Sequence, residues 1–420
     1  MTSVLNVAGV LDQGLGPEHR SVLRAAAASV RTIGTRVYLV GGSVRDLLLG
    51  LSCHDLDLVV EGDGPALAAA LAERLQGQVS AHSPFGTAQV KVLGLTVDVA
   101  TARKERYPYP GALPVVTGGT LLEDLQRRDF SVHAMACSLM PDSWGRLIDP
   151  CDGRRDLGAR VLRVLHEQSF VDDPTRMVRA VRYGGRLRFS LEKRTEQLIL
   201  RDRPGLSAIS GARRWKELRR VLEEQQPERA LLWADRLGLL PALHPVLGAD
   251  PWLAAACIRA RQAGDALVPG PVYFCLLVYR LLPADLAALL GDLQPPASFA
   301  KPARDLSRLS AATALLEQHR SRPSEAVRVL EDYSLYAVWA LRAAVADEDL
   351  RDLLDNHLSQ WHSLKPRLTG RRLMELGVPE GPELGRCLES LRAARLDGLT
   401  RSIEDEVALV HRWRTGHVGL

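Results

Sequence analysis

Two hydrophobic periods divide the chain. Between residues 36 and 160 the apolar positions fall in short runs, Val37–Val40, Asp55–Val60, Ala88–Val92 and Thr96–Val99, separated by Gly, Pro and Ser clusters. β-branched runs of this length bounded by turn residues predict strands. Ser43–Leu49 predicts a short helix between the first two runs, and Pro65–Leu75 a longer one. From about residue 172 the strand pattern nearly vanishes. Arg213–Glu224, Pro227–Leu237, Pro283–Leu290 and Leu306–Gln318 carry Leu and Ala at three- and four-residue spacing, the helical period. Breakers there are short, with Pro269-Gly270-Pro271 and Pro295-Pro296 the expected flexible points. The expected fold class is α+β: a mixed β-sheet head followed by a long helical body.

Composition narrows the class without naming it. A chain of 420 residues predicts two to three domains at roughly 150 residues each. With 46% hydrophobic and 25% charged residues, wholesale disorder, a collagen-like fibre and a disulfide-stapled scaffold are excluded. No apolar run approaches the ~18 residues of a bilayer span. The N-terminal stretch lacks the basic start, apolar core and cleavage site of a signal peptide, so a cytosolic location is expected. The six cysteines form no CxxC pair and have no His pair beside them, which predicts reduced thiols and neither zinc nor disulfides. Net charge is +4, too small to imply nucleic acid by itself. Arginine nevertheless supplies 48 of the 54 basic residues. GC-rich codon usage explains that on composition alone, and bidentate phosphate binding is the functional alternative.

The chemistry concentrates in Leu39-Val40-Gly41-Gly42-Ser43-Val44-Arg45-Asp46 and the following Asp55-Leu56-Asp57. A strand ends in two glycines and Ser43 opens a helix. Glycine permits close backbone approach, and a helix start offers free N–H groups to a phosphate. Most Gly-Gly turns are only turns; the carboxylates change the reading. Alternate strand residues project from one face, so Asp55 and Asp57 point the same way, which is unfavourable without a cation between them. Mg²⁺ takes one or two carboxylates and fills its shell with substrate phosphate oxygens. Asp98, flanked by Val97 and Val99, is a candidate third carboxylate for a two-metal site. The bland alternative is a solvent-facing acidic edge. Arg45 and Asp46 read as an ion pair that holds the turn, with Arg45 also a candidate phosphate contact.

GGSVRDLLLG followed by DLDLVVEGD resembles the signature of the class II tRNA nucleotidyltransferase (CCA-adding enzyme) and bacterial poly(A) polymerase family, within the polymerase-beta-like superfamily. RRDFSVHAMA at 127–136, DDPTRMVRAVRYGGRLRF at 172–189 and SGARRWKELRRVL at 210–222 resemble its later motifs in order and spacing, and LKPRLTGRRLMELGVPEGPELG at 364–385 its tail. The resemblance implies an N-terminal helical extension over 1–35, a catalytic head over 36–160, a base-binding helical neck over 161–225, and a tRNA-binding body and tail over 226–420. It implies that Gly41, Gly42 and Ser43 hold the triphosphate of ATP or CTP. It further implies that Asp55 and Asp57 bind Mg²⁺, with Asp98 as a candidate third catalytic carboxylate. Arg127, Arg128 and Asp129 contact phosphates and ribose. The expected partner is tRNA through its acceptor and T arms, with no membrane and no DNA.

Asp172-Asp173-Pro174 is a helix start, and Asp173 and Arg176 share a face three residues apart. A surface ion pair is the ordinary meaning. In this motif context a carboxylate beside a guanidinium complements the donor–acceptor edges of cytosine and adenine and opposes those of guanine and uracil. Arg179, Arg182 and Arg186 continue the stripe, toward triphosphate or RNA or simply toward solvent. Three positions depart from the family pattern: His133 stands where Asn is usual, Asp172 where Glu is usual, and Ala212 where a carboxylate is usual, with Glu217 one turn on as a possible substitute. Residues 102–120, rich in Pro, Gly and charge, read as a mobile loop. In the family a flexible loop here serves the switch from C to A addition and is shortened in CC-only enzymes, so the full-length segment implies A-adding ability. The expectation is template-independent addition of C and A to the tRNA 3′ end, with release of pyrophosphate. A-only or CC-only addition, a poly(A) polymerase and a catalytically silent RNA-binding protein are the alternatives.

Overall fold

The computed structural model describes residues 5–53, 55–83, 86–262, 267–319 and 321–414. It divides into two compact units, residues 1–210 with 236–242, and residues 211–235 with 243–420. Every strand among the described residues lies in the first unit, and the second is helical.

The first unit starts with α1 (Ala8–Gly14) and α2 (Pro17–Ile33), then β1 (Arg36–Val40), α3 (Gly42–Leu48), β2 (Leu56–Glu61), α4 (Gly64–Arg74), β3 (Gln78–Ser83), β4 (Thr87–Val92) and β5 (Leu95–Thr101). A hairpin, β6 (Arg103–Arg106) and β7 (Val115–Gly118), leads to α5 (Leu121–Gln126), a 3₁₀ turn at Ser131–His133, β8 (Ala136–Ser138) and β9 (Leu147–Ile148). Then come α6 (Gly153–Ala159), α7 (Ser169–Asp172) and α8 (Thr175–Leu187). Seven strands form one sheet in the order β3-β4-β5-β2-β1-β8-β9, and of its pairings only β2 with β5 is parallel.

The middle of the sheet is covered on both faces. Leu56, Leu58, Val59 and Val60 of β2 are all buried, which is why that strand reads as a nearly continuous apolar run. Tyr38, Val40, Val59, Leu121, Leu125 and Ala136 share one core cluster that fastens α5 to the sheet. A capping box starts α5: the Thr120 hydroxyl accepts from the Glu123 N–H while the Glu123 carboxylate accepts from the Thr120 N–H. The residue after it, Asp124, is thereby placed on the buried face.

Three expectations change. The segment 102–120 is not irregular throughout; Arg103–Arg106 pairs antiparallel with Val115–Gly118, and at its tip the Gly111 N–H donates to the Val171 carbonyl. Alternation is hidden there because every residue of β6 is charged, on both faces of a two-stranded ribbon. The single helix expected over Leu306–Gln318 is two, Ala297–Ala311 and Thr313–Gln318, broken at Ala312. The proline clusters read as flexible points are helix starts: Pro269 and Pro296 are the N-caps of Gly270–Val278 and Ala297–Ala311. In the second unit, Trp215, Phe274 and Phe299 pack edge-to-face at centroid distances of 5.1, 4.9 and 6.1 Å. The buried Glu406 carboxylate accepts from the Arg367 and Leu368 N–H groups to hold the C-terminal helices together. Five of the six cysteines are buried and none is in a disulfide. No helix of the described residues is long and apolar enough to cross a membrane.

Gly153 is where α6 meets the 3₁₀ turn: a Cβ there would lie 2.2 Å from the Ser131 carbonyl oxygen. Gly153→Ala should destabilise the first unit by about 1–3 kcal/mol through overpacking. Calorimetry should show this as a melting shift of about 2–4 °C per kcal/mol; an unchanged transition would refute the close approach.

Candidate active site

Gly41 ends β1 with φ +68°, a conformation that glycine adopts without strain. A Cβ there would also stand 2.6 Å from Arg128 Nη1 and 3.8 Å from Asp57 Oδ2, so the turn, the arginine and the carboxylate are in close contact. Ser43 does structural work: its hydroxyl donates to the Asp55 carbonyl at 2.9 Å and accepts from the Asp57 N–H at 3.2 Å. The glycine turn and the acidic strand are thereby tied together by one side chain whose hydroxyl is already engaged. Arg45 is buried and binds Asp46 through Nε and Nη2, both at 2.8 Å, as the ion-pair reading expected.

The carboxylates meet through sheet register. β2 and β5 run parallel with Asp57 opposite Asp98, so the two side chains share a face, and Asp55 lies two residues before Asp57. Gln89 Nε2 of β4 donates to Asp98 Oδ1 at 3.0 Å. Burial pushes the Asp57 carboxyl up to about 6; Arg128 opposes the shift while Asp98 and Asp55 add to it. A carboxyl this reluctant to ionise among two others is what a divalent cation would relieve. Among the described residues no three His, Cys, Asp or Glu side chains close into a ready-made metal cage.

Asp124 was missed by the motif reading. Fully buried, it takes Arg127 Nη2 at 2.6 Å on Oδ1 and Arg128 Nη2 at 2.9 Å on Oδ2. Burial alone would raise it, but the two guanidiniums hold it below the usual carboxylate range. The sequence signal was present: Asp124 precedes the two arginines by three and four residues on a helix. Arg127 reaches on to Glu105 of β6 at 2.9 Å. Glu105 accepts from the Tyr107 hydroxyl at 3.0 Å, and burial raises that phenol to about 12.

Asp173 and Arg176, expected from the sequence to read the base, lie against this group. The buried Arg176 donates to Ser169 Oγ at 2.8 Å and to the Arg127 carbonyl at 2.7 Å, with the Tyr107 oxygen at 3.5 Å. Asp173 Oδ1 accepts from the Thr175 hydroxyl at 2.7 Å and caps the start of α8. Asp129, expected at the ribose, is buried with both oxygens engaged: Oδ1 toward His133 Nδ1 and the Phe130 N–H, Oδ2 toward Arg179 Nη2 at 2.6 Å. Burial would raise Asp129, and Arg179 and His133 more than reverse it, leaving its carboxyl well below the usual range. Arg182 is buried with its guanidinium 4.4 Å from the Tyr183 ring, and Arg186 lies 5.7 Å from it. Glu217, considered as a substitute for the missing carboxylate at Ala212, accepts from Arg220 in its own helix.

A glycine turn against an acidic strand pair, backed by paired arginines, defines a nucleotidyltransferase head. The Poly A polymerase head domain model matches residues 37–163, and the model for the probable RNA and SrmB-binding site of polymerase A matches 188–250. The chain is 33% identical over 413 residues to the A-adding tRNA nucleotidyltransferase of Halalkalibacterium halodurans, covering 95% of this chain and 94% of that one. It is 32% identical over 419 residues to the A-adding tRNA nucleotidyltransferase of Geobacter sulfurreducens, of which it spans 48%. The Thermotoga maritima CCA-adding enzyme complexed with tRNA superposes with a TM-score of 0.74 at 26% identity, over 99% of this chain and all of that one. The chain belongs to the tRNA nucleotidyltransferase and poly(A) polymerase family.

The raised Asp57 carboxyl has a consequence for stability. Its contribution to folding is fully present below the ordinary value of 3.8 and is lost as pH rises through about 6. With EDTA present, Asp57→Asn should therefore be more stable than the parent at about pH 7.5, by on the order of 2–3 kcal/mol. The gain should shrink toward zero as pH falls to about 4. Thermal melts at the two pH values check this, and an Asn variant no more stable at the higher pH would contradict it.

Proposed function

We propose that this chain extends the 3′ end of tRNA with the C and A residues of the CCA terminus, taking them from CTP and ATP without a template. The observation that carries the reading is the register of β2 with β5. It sets Asp57 beside Asp98 at the foot of the glycine turn, where a triphosphate can approach the backbone. Gly41 and Gly42 would receive the triphosphate, with Arg128 beside it. Asp55 and Asp57 would hold Mg²⁺, with Asp98 adjacent; when bound, the metal neutralises charge on the reacting phosphate and lowers the pKa of the attacking hydroxyl. The tRNA 3′-OH attacks the α-phosphate in line and pyrophosphate leaves.

Base choice falls to Asp173 and Arg176 on this reading. Arg176 is immobilised by Ser169 and the Arg127 carbonyl, so its remaining donor edge is presented in one orientation. A rigid donor beside a carboxylate suits the amino-bearing edges of cytosine and adenine and opposes guanine and uracil. Asp129 acts one step back: it holds Arg179 and the 3₁₀ turn in place instead of touching ribose itself. The helical second unit would bind the tRNA acceptor and T arms by backbone shape, the usual mode for A-form RNA.

A-only addition is the second reading. One relative matched over nearly the whole of both chains is an A-adding tRNA nucleotidyltransferase, and the β6–β7 segment, whose counterpart the resemblance ties to A addition, is not obviously deleted in this chain. The deciding experiment offers tRNA ending at the discriminator base, at C or at CC, with each labelled nucleoside triphosphate singly. C on the shorter ends and one A on the CC end is expected for CCA addition. A on the CC end alone would establish the A-adding reading, and long A tails a poly(A) polymerase. Asp55→Ala should lower incorporation by at least about 10²-fold; full retention would overturn the catalytic reading.

A further inference from the structure

His133 occupies the position where the family this chain resembles usually carries Asn, and both its ring nitrogens are engaged within the protein. It is buried, 5% exposed, on the 3₁₀ turn between α5 and β8. Its two ring nitrogens point at opposite charges. Nδ1 lies 2.8 Å from Asp129 Oδ1, and Nε2 is within hydrogen-bonding distance of Arg45 Nη1. Arg45 can only donate and the ionised Asp129 can only accept. Those neighbours dictate a neutral imidazole with its proton on Nδ1 and a lone pair on Nε2. The ring plane is held as well, edge-to-face against Tyr183 at 4.4 Å and against Phe130 at 5.9 Å. Arg179 lies beyond Asp129 and Arg128 donates to the His133 carbonyl, while burial together with Arg45 and Arg179 keeps the ring's pKa below the ordinary value against the pull of Asp129.

The ring therefore completes a line of contacts: Asp46, Arg45, His133, Asp129, Arg179. One end lies on α3, whose Ser43 holds the Asp55–Asp57 strand. The other lies on α8, one turn beyond Arg176. We propose that His133 is a positioning residue that fixes the glycine-turn helix to the base-reading helix, with Nε2 as acceptor for Arg45. An Asn amide nitrogen can reproduce the Nδ1 donor toward Asp129, but its shorter side chain cannot also place an acceptor where Nε2 meets Arg45. Gln reaches the Nε2 position with an oxygen, keeping the Arg45 contact and giving up the donor to Asp129, which retains the Phe130 N–H and Arg179. In this chain the coupling thus passes through the one atom that the usual Asn lacks.

The kinetic part rests on the nucleotide-addition reading above; the spectroscopic part does not. Nitrogen-15 NMR of histidine-labelled full-length protein, with His133 assigned through His133→Asn, should show a neutral ring protonated at Nδ1. A ring protonated at Nε2 would overturn the proposal whether or not any variant folds. In single-nucleotide addition with ATP, His133→Asn should raise KM about five- to tenfold with kcat within twofold, and His133→Gln should recover most of the loss. Parent-like KM in both variants would overturn the proposal, as would a loss in Asn that Gln does not relieve at equal melting temperature. An inactive parent protein would instead count against the nucleotide-addition reading.

Discussion

The active end of the molecule depends on one buried carboxylate. Asp124 is wholly inaccessible and carries a guanidinium on each oxygen, Arg127 on one and Arg128 on the other. Removing one partner of such a group strands a charge in a low-dielectric interior, at a cost of about 3–5 kcal/mol, so the three side chains hold one another in place. Each arginine then has a second task. Arg128 stands beside Gly41 and tempers Asp57. Arg127 binds Glu105 through its side chain and Arg176 through its carbonyl. The glycine turn, the hairpin and helix α8 all refer back to a single residue on α5.

Like charges are managed differently in the two halves of the site. Around Asp129 every carboxylate oxygen has a donor, and the acid stays ionised far below its ordinary range. Around Asp57 burial and the neighbouring Asp98 and Asp55 outweigh Arg128, and the carboxyl is pushed up to about 6. The first arrangement is a finished structural network. The second is an unfinished electrostatic one, which a divalent cation and a triphosphate together would complete.

The strands, the glycine turn and the acidic pair were legible because each rests on local rules: alternation, apolar runs, and residues with φ above zero. The same local rules misread residues 102–120, since β6 is charged at every position and so shows no alternation. They misread Pro269 and Pro296 as flexible because proline breaks one helix and starts another with the same residue. Asp124 was within reach as an i, i+3 and i+4 partner of two arginines, but nothing local says that a surface-type pair will be buried.

The sequence by itself determined the family, the order of head and helical body, and the residue types of the site, because motif identity and hydrophobic period are written in short stretches. Tertiary structure decided what those residues touch. Asp57 and Asp98 meet only because β2 and β5 pair in parallel, 41 positions apart. Ser43 and Asp129, assigned to ligands on motif grounds, are engaged within the protein. Hydrogen-bond partners and burial depend on chain segments far apart in sequence, and the free energy of a charge depends on both. The role of an acid or a hydroxyl is therefore set by the completed fold.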